Sequence, residues 1–193
     1  MIDPNEQNKV VAEAEPIKRL DIACGDTKPE GWIGIDIAKT PSADVVHDLF
    51  QFPWPFEDNS FGEARCSHFF EHVPAKLRPA FMSEIWRILK PGAGCTFITP
   101  RGFERQVQDI SHEWPPVVIG SYWYYNREWL KLNKLDHYID LYGYHCNFEI
   151  RPLEVSVSPE FQTKSMEHRI FAINHYTNAP VDLVVLMVKK EMP

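Results

Sequence analysis

Short apolar runs bounded by Gly, Pro or Asp recur through the first half of the chain, at Ile17–Ala23, Trp32–Ile37, Ala43–Asp48 and Glu63–Ser67, and predict β-strands. Residues 1–15 before them are polar and lack a period beyond Val10-Val11-Ala12-Glu13-Ala14, which reads as a flexible tail. The pattern then changes. Leu77, Phe81, Ile85 and Ile88 fall at spacings of four, four and three, predicting a helix over Ala75–Leu89 with one buried stripe. Lys90 at the negative end of its dipole and the breaker pair Pro91-Gly92 close it. Cys95–Thr99 reads as a strand again, so residues 63–99 form a strand–helix–strand unit, whose natural solution is a right-handed parallel crossover.

The second half is less regular. Residues 101–125 carry Trp114, Pro115, Pro116 and the run Tyr122-Trp123-Tyr124-Tyr125 without a period, and exceed the usual loop limit of about 12–15 residues. They read as a functional insertion, expected to form an aromatic lid or wall over a pocket. Asn126 is placed to cap a helix with apolar positions Trp129, Leu132, Leu135, Ile139 and Tyr142, closed by Gly143 in the left-handed conformation. Phe148–Val157 and Val181–Lys190 predict two further strands. Arg169–Tyr176 fits either helix or strand; extended, it would make an antiparallel hairpin through the Asn178-Ala179-Pro180 turn.

Composition narrows the class. At about 150 residues per domain, 193 residues predict a single domain spanning 1–193. The apolar share of 44% and charged share of 24% exclude a disordered or fibrous chain. A net charge of −7 without any Lys/Arg run disfavours an extended nucleic-acid footprint, so a small-molecule partner is expected, with DNA unlikely and RNA left open. Val181–Val188, the longest apolar stretch, is broken by Asp182 and falls far short of the roughly 20 residues that span a bilayer. With an acidic start lacking an apolar core, this predicts a cytoplasmic protein away from membranes. Cys24, Cys66, Cys95 and Cys146 form no CxxC pair; they read as buried thiols, and no metal site is expected.

The candidate chemistry lies at strand ends. Leu20-Asp21-Ile22-Ala23-Cys24-Gly25-Asp26 is a strand running into an acid-bearing glycine turn, and Gly34-Ile35-Asp36-Ile37 ends a strand on an acid. Val46-His47-Asp48-Leu49 follows, then Phe52-Pro53-Trp54-Pro55-Phe56, Cys66-Ser67-His68-Phe69-Phe70-Glu71-His72-Val73 and Glu84-Ile85-Trp86-Arg87-Ile88-Leu89-Lys90-Pro91-Gly92. In this order and spacing, from residue 17 to about 100, the chain resembles the class I S-adenosylmethionine (SAM) dependent methyltransferases, of the type-11 kind. One feature is particular: Gly25 and Asp36 stand too close for a full crossover helix, since a parallel connection takes a dozen or more residues. The resemblance is therefore to the subset with a shortened first crossover, Cys-Gly-Asp-x-Lys-Pro-x-Gly-Trp-Ile-Gly-Ile-Asp.

The resemblance implies an α/β, Rossmann-like, seven-stranded sheet, mostly parallel with its last strand antiparallel and flanked by helices. It implies SAM as cofactor, S-adenosylhomocysteine as product, and a cofactor site drawn from Asp21, Ala23, Cys24, Gly25, Asp36, Ile37, Asp48, Leu49, Ser67 and His68. The chemistry agrees. An ionised Asp36 can accept from both ribose hydroxyls, Asp48 from the adenine amine while the Leu49 amide donates to a ring nitrogen, and Asp21 can orient the methionyl ammonium. Gly25 would let the backbone approach the cofactor. Ser67, His68 and His72 should lie where sulfonium and acceptor meet. His72, and His112 in the insertion, are the candidate catalytic residues, required only where the nucleophile must lose a proton. Phe81 and Trp86 read as core, and His137, His145, His168 and His175 as surface or structural residues. The expected reaction is methyl transfer to an O, N, S or C nucleophile; the motifs of the DNA amino-group and cytosine methylases are absent. The alternative is a non-catalytic SAM-binding or adaptor module of the same fold.

Overall fold

The computed structural model describes residues 16–101, 103–176 and 179–193. The expected tail over 1–15 and the Asn178 position of the turn lie outside the described residues. β1 (Arg19–Ile22), β2 (Ile33–Asp36), β3 (Val45–Val46) and β4 (Phe61–Ser67) follow the predicted runs. After β4 come a single 3-10 turn at Phe70–His72, α1 (Arg78–Ile88) and β5 (Leu89–Pro100). α1 forms because Phe81, Met82, Ile85 and Ile88 share a buried face, and Pro79 sits in its first turn, where no N–H is needed. Lys90-Pro91-Gly92 was expected to separate helix from strand. Instead Leu89 turns extended beside Phe61, and β5 begins at once, its register shifting before Gly94.

The strands form one seven-stranded sheet in the order β3-β2-β1-β4-β5-β7-β6, where β6 is Phe148–Val157 and β7 is Pro180–Lys189. β3 to β5 pair in parallel; β7 is antiparallel to both β5 and β6, so it alone runs against the rest. This is the expected sheet. The order reverses between β1 and β4, and in open α/β sheets ligands bind outside the carboxyl ends of the strands at such a reversal.

Residues 23–32, 37–44 and 47–60, which link β1 to β4, contain no helix, as the short first spacing required. Loops cover the sheet in its place. Trp54 is fully buried, its indole N–H donates to the Leu49 carbonyl at 3.2 Å, and its ring meets Phe81 edge-on at 5.3 Å. Glu84 on α1 receives the Trp54 amide at 2.7 Å. The first two crossovers press on each other at Gly34, where a Cβ would stand 2.2 Å from the Ser42 carbonyl oxygen and 2.7 Å from the Cys24 Sγ.

Two further expectations need correcting, and one open choice is decided. The single helix expected after Asn126 is two, α4 (Arg127–Leu132) and α5 (His137–Tyr142), interrupted where Lys134 adopts a φ of +58°. Asn126 does cap the first, and Gly143 at φ +67° ends the second. Of the two readings open for Arg169–Tyr176 the helix is the one formed, as α7 (Met166–His175) capped by Ser165, so β7 pairs with β5 and with β6 across that helix. The insertion folds as α2 (Phe103–Gln108) and α3 (Ile119–Trp123), and Trp114, Tyr122, Trp123, Tyr124 and Tyr125 line neither of the two cavities described below. Tyr122 and Tyr125 join the core, Tyr122 against Phe70 and Phe97, whereas Trp114 is exposed. The remaining short helix, α6, is Pro159–Gln162. All four cysteines are free and buried. No helix among the described residues is long and apolar enough to cross a membrane.

Candidate active site

At the carboxyl ends of β1 and β4 the backbone enters the left-handed region at two non-glycine residues, Ala23 (φ +55°) and His68 (φ +52°). Such conformations cost on the order of 1–3 kcal/mol each and cluster at functional sites. Both residues line one cleft of about 350 Å³, with Asp36, Ile37, Asp48, Leu49, Phe50, Phe69 and His72. Six of the ten expected cofactor residues are thus brought together, along with the expected catalytic His72.

The two strand-end carboxylates are oriented by backbone amides. Asp36 accepts from Gly25 N–H through Oδ2 and from Ala38 N–H through Oδ1, each at 2.9 Å. Asp48 accepts from Phe50 N–H at 2.9 Å through Oδ1. A carboxylate offers about four lone-pair sites, so each keeps acceptor capacity for a ligand. Stacked Phe50 and Phe69, 5.9 Å apart, add an apolar wall that the sequence reading did not identify.

Asp21, Cys24, Gly25 and Ser67 fall outside the cleft lining. The parallel register sets Asp21 beside Arg65, and the two form a bidentate pair at 2.8 and 2.9 Å with Asp21 buried. Its carboxylate is therefore committed to a guanidinium instead of standing free for an ammonium. Gly25 answers a conformational need: its φ is +56°, and a Cβ there would meet no atom within 4 Å. Burial, with the nearby Asp36 and Asp21 charges, pushes the Cys24 thiol above its ordinary value. Ser67 ends β4 opposite Ile98.

A second, larger cavity of about 790 Å³ adjoins the first through His68 and is lined by polar residues, Arg105, Gln108, Asp109, His112 and Asp182, with Pro100, Ile110 and Val181. The insertion supplies most of this wall and is braced. Arg78, buried on α1, donates to the carbonyls of Val73, Glu113 and Pro115, and the Gln106 side-chain amide bridges Pro100 and Val117. Glu113 N–H reaches back to the Glu71 carbonyl at 2.9 Å. His72 and His112, far apart in sequence, thereby meet with ring centroids 4.8 Å apart. Between the cavities, Glu71 Oε1 lies 3.6 Å from His68 Nδ1 and Asp182 lies 3.9 Å from Nε2. The Glu71 carboxylate, helped by Asp182 and opposed by partial burial, raises the His68 imidazole above its ordinary value. Glu71 and Asp182 gave no local signal in the sequence beyond the i,i+3 spacing of His68 and Glu71.

Comparison with known proteins bears on the fold that carries this site. Residues 20–97 match the family profile described as "Methyltransferase domain". A SAM-dependent methyltransferase from Archaeoglobus fulgidus superposes with a TM-score of 0.59 at 20% identity, covering 90% of this chain and 86% of that one. The YcgJ protein of Bacillus subtilis gives 0.53 at 13% identity, covering 91% and 93%. The [4+2]-cyclase SpnF gives 0.53 at 15% identity, covering 91% and 76%, so the fold also serves a protein described by another reaction. A search of curated proteins finds no relative by sequence. Residues 20–97 thus carry a methyltransferase domain match, and the chain as a whole has the sheet order and fold of the SAM-dependent methyltransferases.

Proposed function

We propose that the protein binds SAM in the 350 Å³ cleft and transfers its methyl group to an O, N, S or C nucleophile of a small molecule held in the adjoining 790 Å³ cavity. The observation that carries the reading is the pair Asp36 and Asp48. Each carboxylate is fixed by a backbone amide, and both face one cleft at the reversal point of the sheet. The donor set fits the cofactor: Asp36 for a ribose diol, Asp48 for an adenine amine, and Ala23, Leu49, Phe50 and Phe69 for the apolar surface. SAM supplies a methyl group already activated on a sulfonium, so the protein's task is positioning and exclusion of water, worth several kcal/mol of barrier.

His68 stands at the junction of the two cavities, and His72 and His112 face the same region from the cofactor and acceptor sides. They are the residues placed to handle a nucleophile's proton. Arg105, Gln108 and Asp182 set polar groups among the apolar surface of Pro100, Ile110 and Val181, which suits a metabolite that carries both kinds of group. The braced segment 103–117 acts as a fixed wall.

Calorimetry with SAM tests the cofactor half, and mass-spectrometric detection of S-adenosylhomocysteine in a metabolite extract supplied with SAM tests the transfer. Absence of SAM binding overturns the reading. Binding without turnover in any extract turns it toward the non-catalytic module.

A further inference from the structure

Glu71 is chemically out of place as the structure stands. Its side chain is 2% exposed, and both carboxylate oxygens are buried without a hydrogen-bond donor. The approach of His68 at 3.6 Å is an ion-pair distance and too long for a hydrogen bond. Burying a carboxylate without full compensation is costly, and native proteins pair such groups or set them on a metal.

Two imidazoles surround it. His72 follows it in the 3-10 turn, and His112 arrives on the insertion that Arg78 and Gln106 brace. The ligand atoms offered by Glu71, His72 and His112 lie within 4.8 Å of one another. The second nitrogens are already directed: His72 Nδ1 faces the Ser111 carbonyl at 3.1 Å, and His112 Nδ1 faces the Gln106 carbonyl at 3.1 Å. A carbonyl can only accept, so these contacts call for a proton on Nδ1 in both rings and leave Nε2 as the nitrogen a metal would take; the Ser111 hydroxyl lies 3.2 Å from His72 Nδ1, and the Asp109 carboxylate lies 3.9 Å from His112 Nε2. Metal-ligating histidines are held in this way, with one ring N–H donated to a carbonyl or carboxylate.

We propose that Glu71, His72 and His112 form a binding site for one divalent transition-metal ion of the zinc class, at the boundary between the cofactor cleft and the acceptor cavity. Two His and one Glu make up a three-ligand set of the kind that leaves a zinc position open to water or substrate. Bonds of about 2.0–2.2 Å set the ligand atoms roughly 3.4 Å apart, which side-chain rotations reach from the present spread. The absence of CxxC spacing hid the site from the sequence, because its ligands come from two segments some forty residues apart. For its chemical consequence the inference rests on the acceptor-side reading. An acceptor hydroxyl or thiol ligated there gives its proton to water more readily, and the electron pair left on that atom takes the methyl group while the sulfonium sulfur departs as a thioether.

The test titrates chelator-treated full-length protein with Co²⁺ alone, reading visible d–d absorption and metal content after dialysis, with Zn²⁺ as competitor. One Co²⁺ per chain, displaced by Zn²⁺, is expected. Loss of a partner beyond the ligands typically lowers metal affinity 10–100-fold, so Glu71→Gln and His112→Ala, which each remove a ligand, should weaken it by at least about 100-fold. His112→Ala alters a cavity wall and not the core, and keeps the test valid if Glu71→Gln fails to fold by circular dichroism. Less than one tightly held ion per chain in the parent, or unchanged affinity in folded His112→Ala, overturns the site. Calorimetry of the parent with SAM is run alongside. SAM binding without Co²⁺ binding rejects the metal site alone, whereas Co²⁺ binding without SAM binding rejects the cofactor reading alone.

Discussion

Replacing Asp36 by Ala tests the proposed cofactor contact against the loop support that this side chain gives. Its two oxygens each hold one backbone amide, Gly25 and Ala38, at 2.9 Å. Both bonds lie in a partly exposed loop where water can replace them, so each is worth about 0.5–1.5 kcal/mol and the pair about 1–3 kcal/mol of folding stability. For a chain of this size, each kcal/mol lowers Tm by about 2–4 °C. Loss of the charged acceptor for the ribose diol should weaken SAM binding by a further 1–3 kcal/mol, about 5- to 150-fold. Asp44→Ala is the matched control. Asp44 also supports the crossover, accepting from Gly34 N–H at 2.7 Å and Lys28 Nζ at 2.6 Å, but it does not line the cleft. Both variants should lose stability, and only Asp36→Ala should lose SAM affinity by calorimetry well below its melting temperature. Affinity within twofold of the parent in folded Asp36→Ala would refute the ribose assignment. Equal losses in the two variants would show that the affinity depends on loop shape and not on contact.

Other expectations follow from packing and charge. Gly34→Ala drives a Cβ to 2.2 Å from the Ser42 oxygen; overpacking of this kind costs about 1–3 kcal/mol or more, and an unchanged thermal melt would mean that the two crossovers are not pressed together. Tyr122→Phe should cost less than about 1 kcal/mol, since its hydroxyl reaches Thr99 only at 3.5 Å, while Tyr122→Ala should cost about 3–5 kcal/mol in urea denaturation; near-neutral Tyr122→Ala would return this residue to a pocket wall. Burial pushes the Cys146 thiol from 9.0 up to about 12, so it is neutral in the native protein at pH 8 and should resist a thiol reagent until the chain unfolds. The same shift stabilises the fold fully below about pH 9 and loses its contribution as pH rises toward about 12; rapid native labelling of Cys146 would contradict its burial.

The parts of the site legible in the sequence are those made within a single strand and its following turn. Asp36 and Asp48 each end an apolar run, so their position outside the sheet edge follows from the run itself, and the structure sets both on one cleft. Asp21 looked equivalent, yet its fate depends on the register that sets Arg65 beside it, a relation between segments forty-four residues apart. No local period carries that information. Tyr122 and Tyr125 misled for a similar reason: an aperiodic aromatic run is compatible with a pocket or a core, and for Tyr122 the choice is made by Phe70 and Phe97, which stand 52 and 25 residues earlier in the chain. For Arg169–Tyr176, the serine cap at Ser165 was the local signal for a helix, and the β-like composition of the neighbouring Val181–Lys190 obscured it.

The shortened first crossover shows most directly how sequence length shapes the site. In a dinucleotide-binding α/β unit, the N-terminus of the first helix directs backbone N–H groups and a positive dipole end at the ligand. With residues 23–32 too few for that helix, the Gly25 N–H is turned to Asp36, and Thr40 and Ser42 from the second crossover donate to the carbonyls of Gly25 and Asp26. The loop is thus held by its neighbour instead of by a helix of its own. Its positive end is lost, and the Asp36 carboxylate is fixed in exchange. A site built this way presents acceptors at the strand ends and few donors, which suits a cationic cofactor with a ribose diol better than a diphosphate. The same loss of helical cover explains why Trp54 lies in the core: residues 47–60 must close the sheet face that a crossover helix would occupy, and the Trp54 ring, locked by Leu49, Phe81 and Glu84, does so.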